Sequence, residues 1–364
     1  MRKIGIAAPL ALVLTALVTV PLLVRSWSAQ ETAPSSGTDR ERIISCSSRD
    51  TVESFEIDGI NALGVETQNC LRELLLEEIG NGRLDEIDPV LEELSQESPG
   101  FSQFCHTVLH WVGYELGQGA EFPARLGESG AGNCIFGYGH GLLEGFAAAH
   151  PEPSDEEFLV AVGACDSLRG AAVASSLALC ADGLGHAAWN STEDETRAAE
   201  LCDLIDEPRL QGVCAGGVVM QIFAPVNDAG SDWATKLRWH ESARERLVGI
   251  CTNWAGSETA QAGCHSGAGY VYTRPAHVQA SEVLRREGDR RAEARAASIR
   301  YTEEALQLCD RHGERGTELC RKEVLRQIPP AVYADAELNR GICTVLHPDD
   351  TACPLTRPTK QPAP

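Results

Sequence analysis

One frame recurs in this chain and leaves few folds open to it. Cys134-Ile135-Phe136-Gly137-Tyr138-Gly139-His140 reads Cys-x-x-Gly-x-Gly-His, and Cys180-Ala181-Asp182-Gly183-Leu184-Gly185-His186 reads the same. Residues Cys264 to Tyr270 keep the frame with Tyr in the His place. Residues Cys214 to Met220 keep the Cys and the first Gly, with Met there. Self-similarity of this kind marks an array of supersecondary units that bury their apolar faces against one another.

A second regularity surrounds the frame. One segment carries a Cys, a short turn follows, and the next segment opens with a Cys. The pairs are Cys165 and Cys180, Cys202 and Cys214, Cys251 and Cys264, Cys309 and Cys320, and Cys343 and Cys353. Such spacing suits a disulfide across a helix–turn–helix, where closing a loop of about 15 residues is worth roughly 3 kcal/mol. Cys46 with Cys70 and Cys105 with Cys134 complete seven pairs from the 14 cysteines. No Cys-x-x-Cys occurs, which removes zinc ribbons, thioredoxin-like sites and c-type haem attachment. An even count of widely spaced cysteines reads as a disulfide framework in an oxidising compartment.

The segments between cysteines carry helical periodicity. Leu71, Leu74, Leu75 and Ile79 predict an amphipathic helix over 70–79, stopped by Gly80-Asn81-Gly82, with a partner over 84–94. Further helices are expected at 101–116, from about Gly137 to His150, at 156–168 and at 171–189. A Gly-rich loop is expected at 117–132, and Ser154 with Glu157 has the form of a capping box. Residues 279–308 read as one long charged helix holding Arg285, Arg286, Arg290, Arg291 and Arg295. Strand signals are nearly absent; the apolar run 218–223 sits where the repeat calls for helix. The expected fold is all-α, with disulfide-stapled antiparallel helical hairpins stacked as a curved solenoid or toroid. In outline this resembles tetratricopeptide-like repeat proteins, although the Cys-x-x-Gly-x-Gly-His frame is not their signature.

The ends differ from the middle. Arg2 and Lys3 precede an apolar run from Ile4 to Val24, long enough to span a bilayer, with small residues at Ser26, Ser28 and Ala29 that suit cleavage. Residues 1–25 therefore read as a signal peptide or a single membrane anchor, 26–42 as a flexible linker, 43–353 as the Cys-rich repeat domain and 354–364 as a disordered tail. The chain is expected to be exported, either secreted or anchored with its domain outside. A net charge of −22 argues against nucleic acid as a partner. The membrane, through an uncleaved N-terminus, and an extracellular protein or peptide remain as partners.

Chemistry is expected at the frame. Six residues after each frame Cys stand His140, His186, Met220 and Tyr270; ten after stand Glu144, Asn190, Ala224 and Arg274. Positions four apart share a helix face. Ten residues after Cys105 stands Glu115, and His106 and His110 are themselves four apart. Pairs of His-x3-His and His-x3-Glu put two ligands on one face, as in helix-borne zinc sites. The candidate ligands are His106, His110, His140, His186, Glu115 and Glu144, with Glu144 as ligand or general base. The candidate cofactor is a transition-metal ion: Zn, Fe, Mn or Cu. Tyr270, Arg274 and His265 are weaker candidates. The frame glycines read as packing residues rather than a phosphate cradle, because no strand precedes them. No Gly-x-Ser-x-Gly or Walker sequence occurs. Two readings follow: a metal-binding protein whose site could serve a metal-dependent enzyme, or an extracellular binding scaffold whose histidines are structural.

Overall fold

The computed structural model describes residues 39–47, 65–97, 99–128, 133–168, 175–223, 244, 246–328 and 330–346. The N-terminal apolar run, most of the expected linker and the tail lie outside them. Every regular element among the described residues is a helix. In chain order these are α1 (Asp39–Ser47), α2 (Val65–Gly80), α3 (Leu84–Glu97), α4 (Pro99–Gly117), α5 (Phe122–Glu128), α6 (Asn133–Ala149), α7 (Asp155–Asp166) and α8 (Ser175–Thr192). They continue as α9 (Glu195–Asp203), α10 (Pro208–Phe223), α11 (246–252), α12 (Glu258–Arg285), α13 (Gly288–Cys309), α14 (Gly313–Arg326), α15 (Pro330–Ala334) and α16 (Ala336–Leu346).

Local chemistry sets the boundaries. The Ser154 hydroxyl accepts from the Glu157 amide at 3.3 Å, and the Glu157 carboxylate accepts from the Ser154 amide at 2.8 Å, so the expected capping box opens α7. Asp194 caps α9 by accepting from the Arg197 amide at 2.8 Å.

Some boundaries differ from expectation. Residues 279–308 are not one helix: α12 ends at Arg285, and α13 starts at Gly288, whose φ of +55° breaks the run. The expected loop at 117–132 contains α5, because Phe122 and Leu126, four apart, bury one face, with Phe122 stacked on Phe146 at 4.8 Å. The helix α1 starts at Asp39, inside the stretch expected as linker.

The frame helix α6 starts at Asn133, four residues before the expected Gly137. Glycine weakens a helix in water, but here it lets backbones meet. A Cβ at Gly137 would fall on the carbonyl oxygen of His106, and one at Gly141 on that of His110; Gly113 and Gly117 of α4 meet Tyr138 and Leu142 in the same way. Every residue from Phe136 to Ala147 is buried, so α6 is enclosed on all sides.

The helices pack in succession. The contacts run α4 on α6, α6 on α8, α8 on α10, α10 on α12, and α12 on α13 and α14. Glycine recurs at these crossings: Gly185 meets the Cys214 carbonyl, Gly217 that of Asp182, Gly263 that of Gly212 and Gly269 that of Cys320. One apolar core runs from Ile43 to Val324, and a smaller one joins α12, α13, α15 and α16 through Val283, Ala294, Val332, Leu338 and Ile342.

Five disulfides tie neighbouring helices: Cys46–Cys70, Cys165–Cys180, Cys202–Cys214, Cys251–Cys264 and Cys309–Cys320. Each is a pair set out from the spacing. Cys105 and Cys343 are also disulfide-bonded; their expected partners, Cys134 and Cys353, have side chains outside the described set. This framework fits an oxidising, extracellular environment. No helix among the described residues is long and apolar enough to cross a membrane.

Candidate metal centre

Three neighbouring helices each present two polar groups one turn apart. They are His106 and His110 on α4, His140 and Glu144 on α6, and Asp182 and His186 on α8. The four-residue spacing puts each pair on one face. The glycine contacts let α4 and α6 approach until these faces meet. One ligand atom from each of His106, His110 and His140 lies within 4.8 Å of the other two. The His186 ring stacks on His140, with centroids 5.0 Å apart. His110, His140, Glu144 and His186 are buried, and His106 is half-buried, so the cluster meets solvent at His106.

The carboxylates sit among the rings. Glu144 Oε2 is 3.3 Å from His110 Nδ1, and Oε1 is 3.4 Å from His186 Nδ1. Asp182 Oδ2 is 3.4 Å from His140 Nε2 and 3.8 Å from His186 Nε2. His140 Nε2 also lies 3.3 Å from the Leu179 carbonyl oxygen. Two buried nitrogens, His140 Nδ1 and His186 Nε2, have no hydrogen-bond partner among the described residues. Nearly every buried polar atom in a folded protein finds a partner, so two exceptions on stacked rings call for a cause.

Titration follows the same geometry. Burial alone would raise the Glu144 carboxyl; the charge and Nδ1 contact of His110, then those of His186, outweigh it and hold the pKa at about 2. Burial raises Asp182 to about 6, because the charges of His186 and His110 offset it only in part. His140 is pushed well below the usual imidazole range by burial and by the charges of His186, His110 and His106. Burial also acts to lower His186, but the Glu144 contact and the charges of Asp182 and Glu144 leave it raised.

The expected ligands do not all converge: His106, His110 and His140 form the set within 4.8 Å, His186 and Glu144 adjoin it, and Glu115 is remote. Glu115 is at the surface, where it accepts from Arg72 at 2.7 Å. It stands five residues beyond His110, which turns it about 140° away around the helix. Asp182 was absent from the sequence candidates, yet it lies four residues before His186 and therefore on its face.

The remaining frame positions pair with polar neighbours. Asn190 accepts from Gln221 at 2.9 Å, and Arg274 donates to the Tyr270 hydroxyl at 3.2 Å. His265, His312 and Cys251 form a second cluster within 4.8 Å, but the Cys251 sulfur is bonded to Cys264 and offers no thiolate. Its polar atoms satisfy one another. The Tyr272 hydroxyl donates to the Arg244 carbonyl at 3.2 Å, so it accepts from His312 Nε2 at 2.9 Å. His312 Nδ1 then accepts from His265 Nδ1 at 2.8 Å.

Comparison of the chain with protein-family models, with curated proteins and with solved structures gives no match.

Proposed function

We propose that the protein is an exported helical-repeat protein that holds a transition-metal ion between α4, α6 and α8, with His106, His110, His140, His186 and Glu144 as the groups of the centre. The observation that carries this reading is the convergence of His106, His110 and His140 within 4.8 Å from two helices. Charge supports it. Among the described residues, Glu144 and Asp182 have only imidazoles as ion-pair partners. Buried carboxylates need positive charge nearby, and a divalent ion supplies it. A donor set rich in imidazole nitrogen favours Zn, Fe or Cu over Mg, Ca or Mn.

When bound, such an ion would polarise a water or a carbonyl group. His106, half-buried, is where the cluster reaches solvent. A carboxylate held at about 2 stays ionised at neutral pH, which makes Glu144 a poor general base and a good partner for imidazole or metal. The succession of helix contacts and the four disulfides from α7 to α14 support stacking of stapled hairpins as a curved solenoid. The N-terminal apolar run would export the domain and, if retained, anchor it.

Elemental analysis of the chain made in an oxidising compartment tests the reading. Near-stoichiometric Zn, Fe or Cu is the expected result. Absence of metal after reconstitution with each ion would sink it and leave the histidines structural, as in an extracellular binding scaffold.

A further inference from the structure

We infer that the ion is held by imidazole nitrogens alone, and that both carboxylates, Glu144 and the previously unassigned Asp182, are positioning residues that aim those imidazoles. This rests on the metal reading above and assigns the ligand atoms within it.

The argument is one of proton placement. A carboxylate or a carbonyl oxygen accepts hydrogen bonds and cannot donate them. Glu144 Oε2 faces His110 Nδ1 at 3.3 Å, so that nitrogen carries the proton and Nε2 of His110 keeps the lone pair. Glu144 Oε1 faces His186 Nδ1 at 3.4 Å, which likewise leaves the lone pair on His186 Nε2. His140 Nε2 faces the Leu179 carbonyl at 3.3 Å and Asp182 Oδ2 at 3.4 Å, so it carries the proton and Nδ1 keeps the lone pair.

Two of the three nitrogens left with lone pairs, His140 Nδ1 and His186 Nε2, are the two buried atoms of this cluster that lack a partner. A metal-bound imidazole characteristically gives its other N–H to a carboxylate or a backbone carbonyl, which fixes tautomer and ring orientation. Here three imidazoles from three helices do so at once. His106, half-buried beside them, converges with His110 and His140 within 4.8 Å, and His186 adjoins this set through its ring, stacked on His140 at 5.0 Å. Charge agrees with one divalent ion: two positive charges against the two carboxylates.

Metal binding by the full chain tests this, read with Zn(II) for affinity and Cu(II) for electron paramagnetic resonance. The wild type is expected to bind one ion, with hyperfine structure from several imidazole nitrogens. Asp182→Asn and Glu144→Gln should each still bind one ion at saturation, with affinity lowered about 10- to 100-fold. His140→Ala should lower the saturating stoichiometry. Asp182→Glu should recover part of the affinity lost in Asp182→Asn, which a space-filling role would not predict. Thermal melts of the metal-free variants identify any that fail to fold, and the other carboxylate variant then carries the test. Wild-type affinity and an unchanged spectrum in Asp182→Asn would overturn the role of Asp182. Loss of stoichiometry in Glu144→Gln with its fold intact would make Glu144 a ligand and overturn the all-imidazole assignment. No ion bound by the wild type would instead remove the underlying metal reading.

Discussion

The carbonyl oxygen of His110 occupies the place where a Cβ on Gly141 would stand, so α4 and α6 touch backbone to backbone beside the histidine cluster. Gly141 follows His140 directly, and the same contact sets how close the two helices bring their imidazoles. Overpacking a close contact costs about 1–3 kcal/mol, and more where backbone must move. Gly141→Ala is expected to lower the melting temperature and to weaken metal binding together. Gly163 lies inside α7 with nothing near its absent Cβ. Gly163→Ala should therefore be neutral or stabilise by up to about 1 kcal/mol. Calorimetry of both variants checks the contrast; equal effects would remove the close-approach argument.

If the proposed centre holds an ion, metal should stabilise the fold, because the candidate ligands come from separate helices and are assembled only in the native state. At an ion concentration about 100 times Kd, binding to the native state alone adds about 2.7 kcal/mol. Thermal melts are expected to rise on adding the preferred ion and to fall back with chelator. In His110→Ala and His140→Ala the rise should be much reduced. A rise of the same size in both variants would place the binding elsewhere in the chain.

The part of this architecture that was legible in the sequence was the part governed by short separations. Cysteines 11 to 15 residues apart paired across turns, as in Cys165–Cys180 and Cys309–Cys320, because a helical hairpin brings such positions together. The capping box at Ser154 and Glu157 is local in the same way. His106, His110, His140 and Glu144 were visible as one-turn pairs. Asp182 stands one turn before His186, at a frame position that is Phe136 in the first copy, so the repeat itself does not mark it as polar. Glu115 follows His110 by five residues, not four, and so lies off the face that carries the histidines and pairs with Arg72. The break before Gly288 turns on a backbone conformation that an otherwise helical, charged sequence conceals.

Removing one disulfide tests how the packed helices share their stability. Cys202 and Cys214 are both fully buried and close a separation of 12 residues between α9 and α10. The paired substitution Cys202→Ala with Cys214→Ala is expected to cost about 3 kcal/mol. Urea unfolding should show a lower midpoint. Because α10 packs on both α8 and α12, the loss should appear in the main transition and not as a separate early step. An unchanged midpoint would show that packing alone holds this pair of helices.

Asp335 gives the clearest pH dependence outside the centre. It is buried between α15 and α16, accepts from Arg295 Nε and Nη2 at 2.9 and 2.8 Å and from Arg291 Nη2 at 2.8 Å, and caps α16 by accepting from the Leu338 amide at 2.9 Å. The Arg295 contact, with the Leu338 amide and Arg291, outweighs burial and holds its carboxyl far below the usual carboxylate range. A depressed folded-state pKa means stability that is fully present above the unfolded value of about 3.9 and is lost as pH falls through the folded value. Asp335→Ala removes the cap and the charged hydrogen bonds, and should cost about 2 kcal/mol or more at neutral pH. Asp335→Asn keeps an acceptor for the cap and isolates the charge. Its deficit against the wild type should be constant from neutral pH down to about 5 and should shrink as the solution is made more acid. Denaturant titrations at a series of pH values measure that gap, and a gap that widened on acidification would show the sign to be wrong.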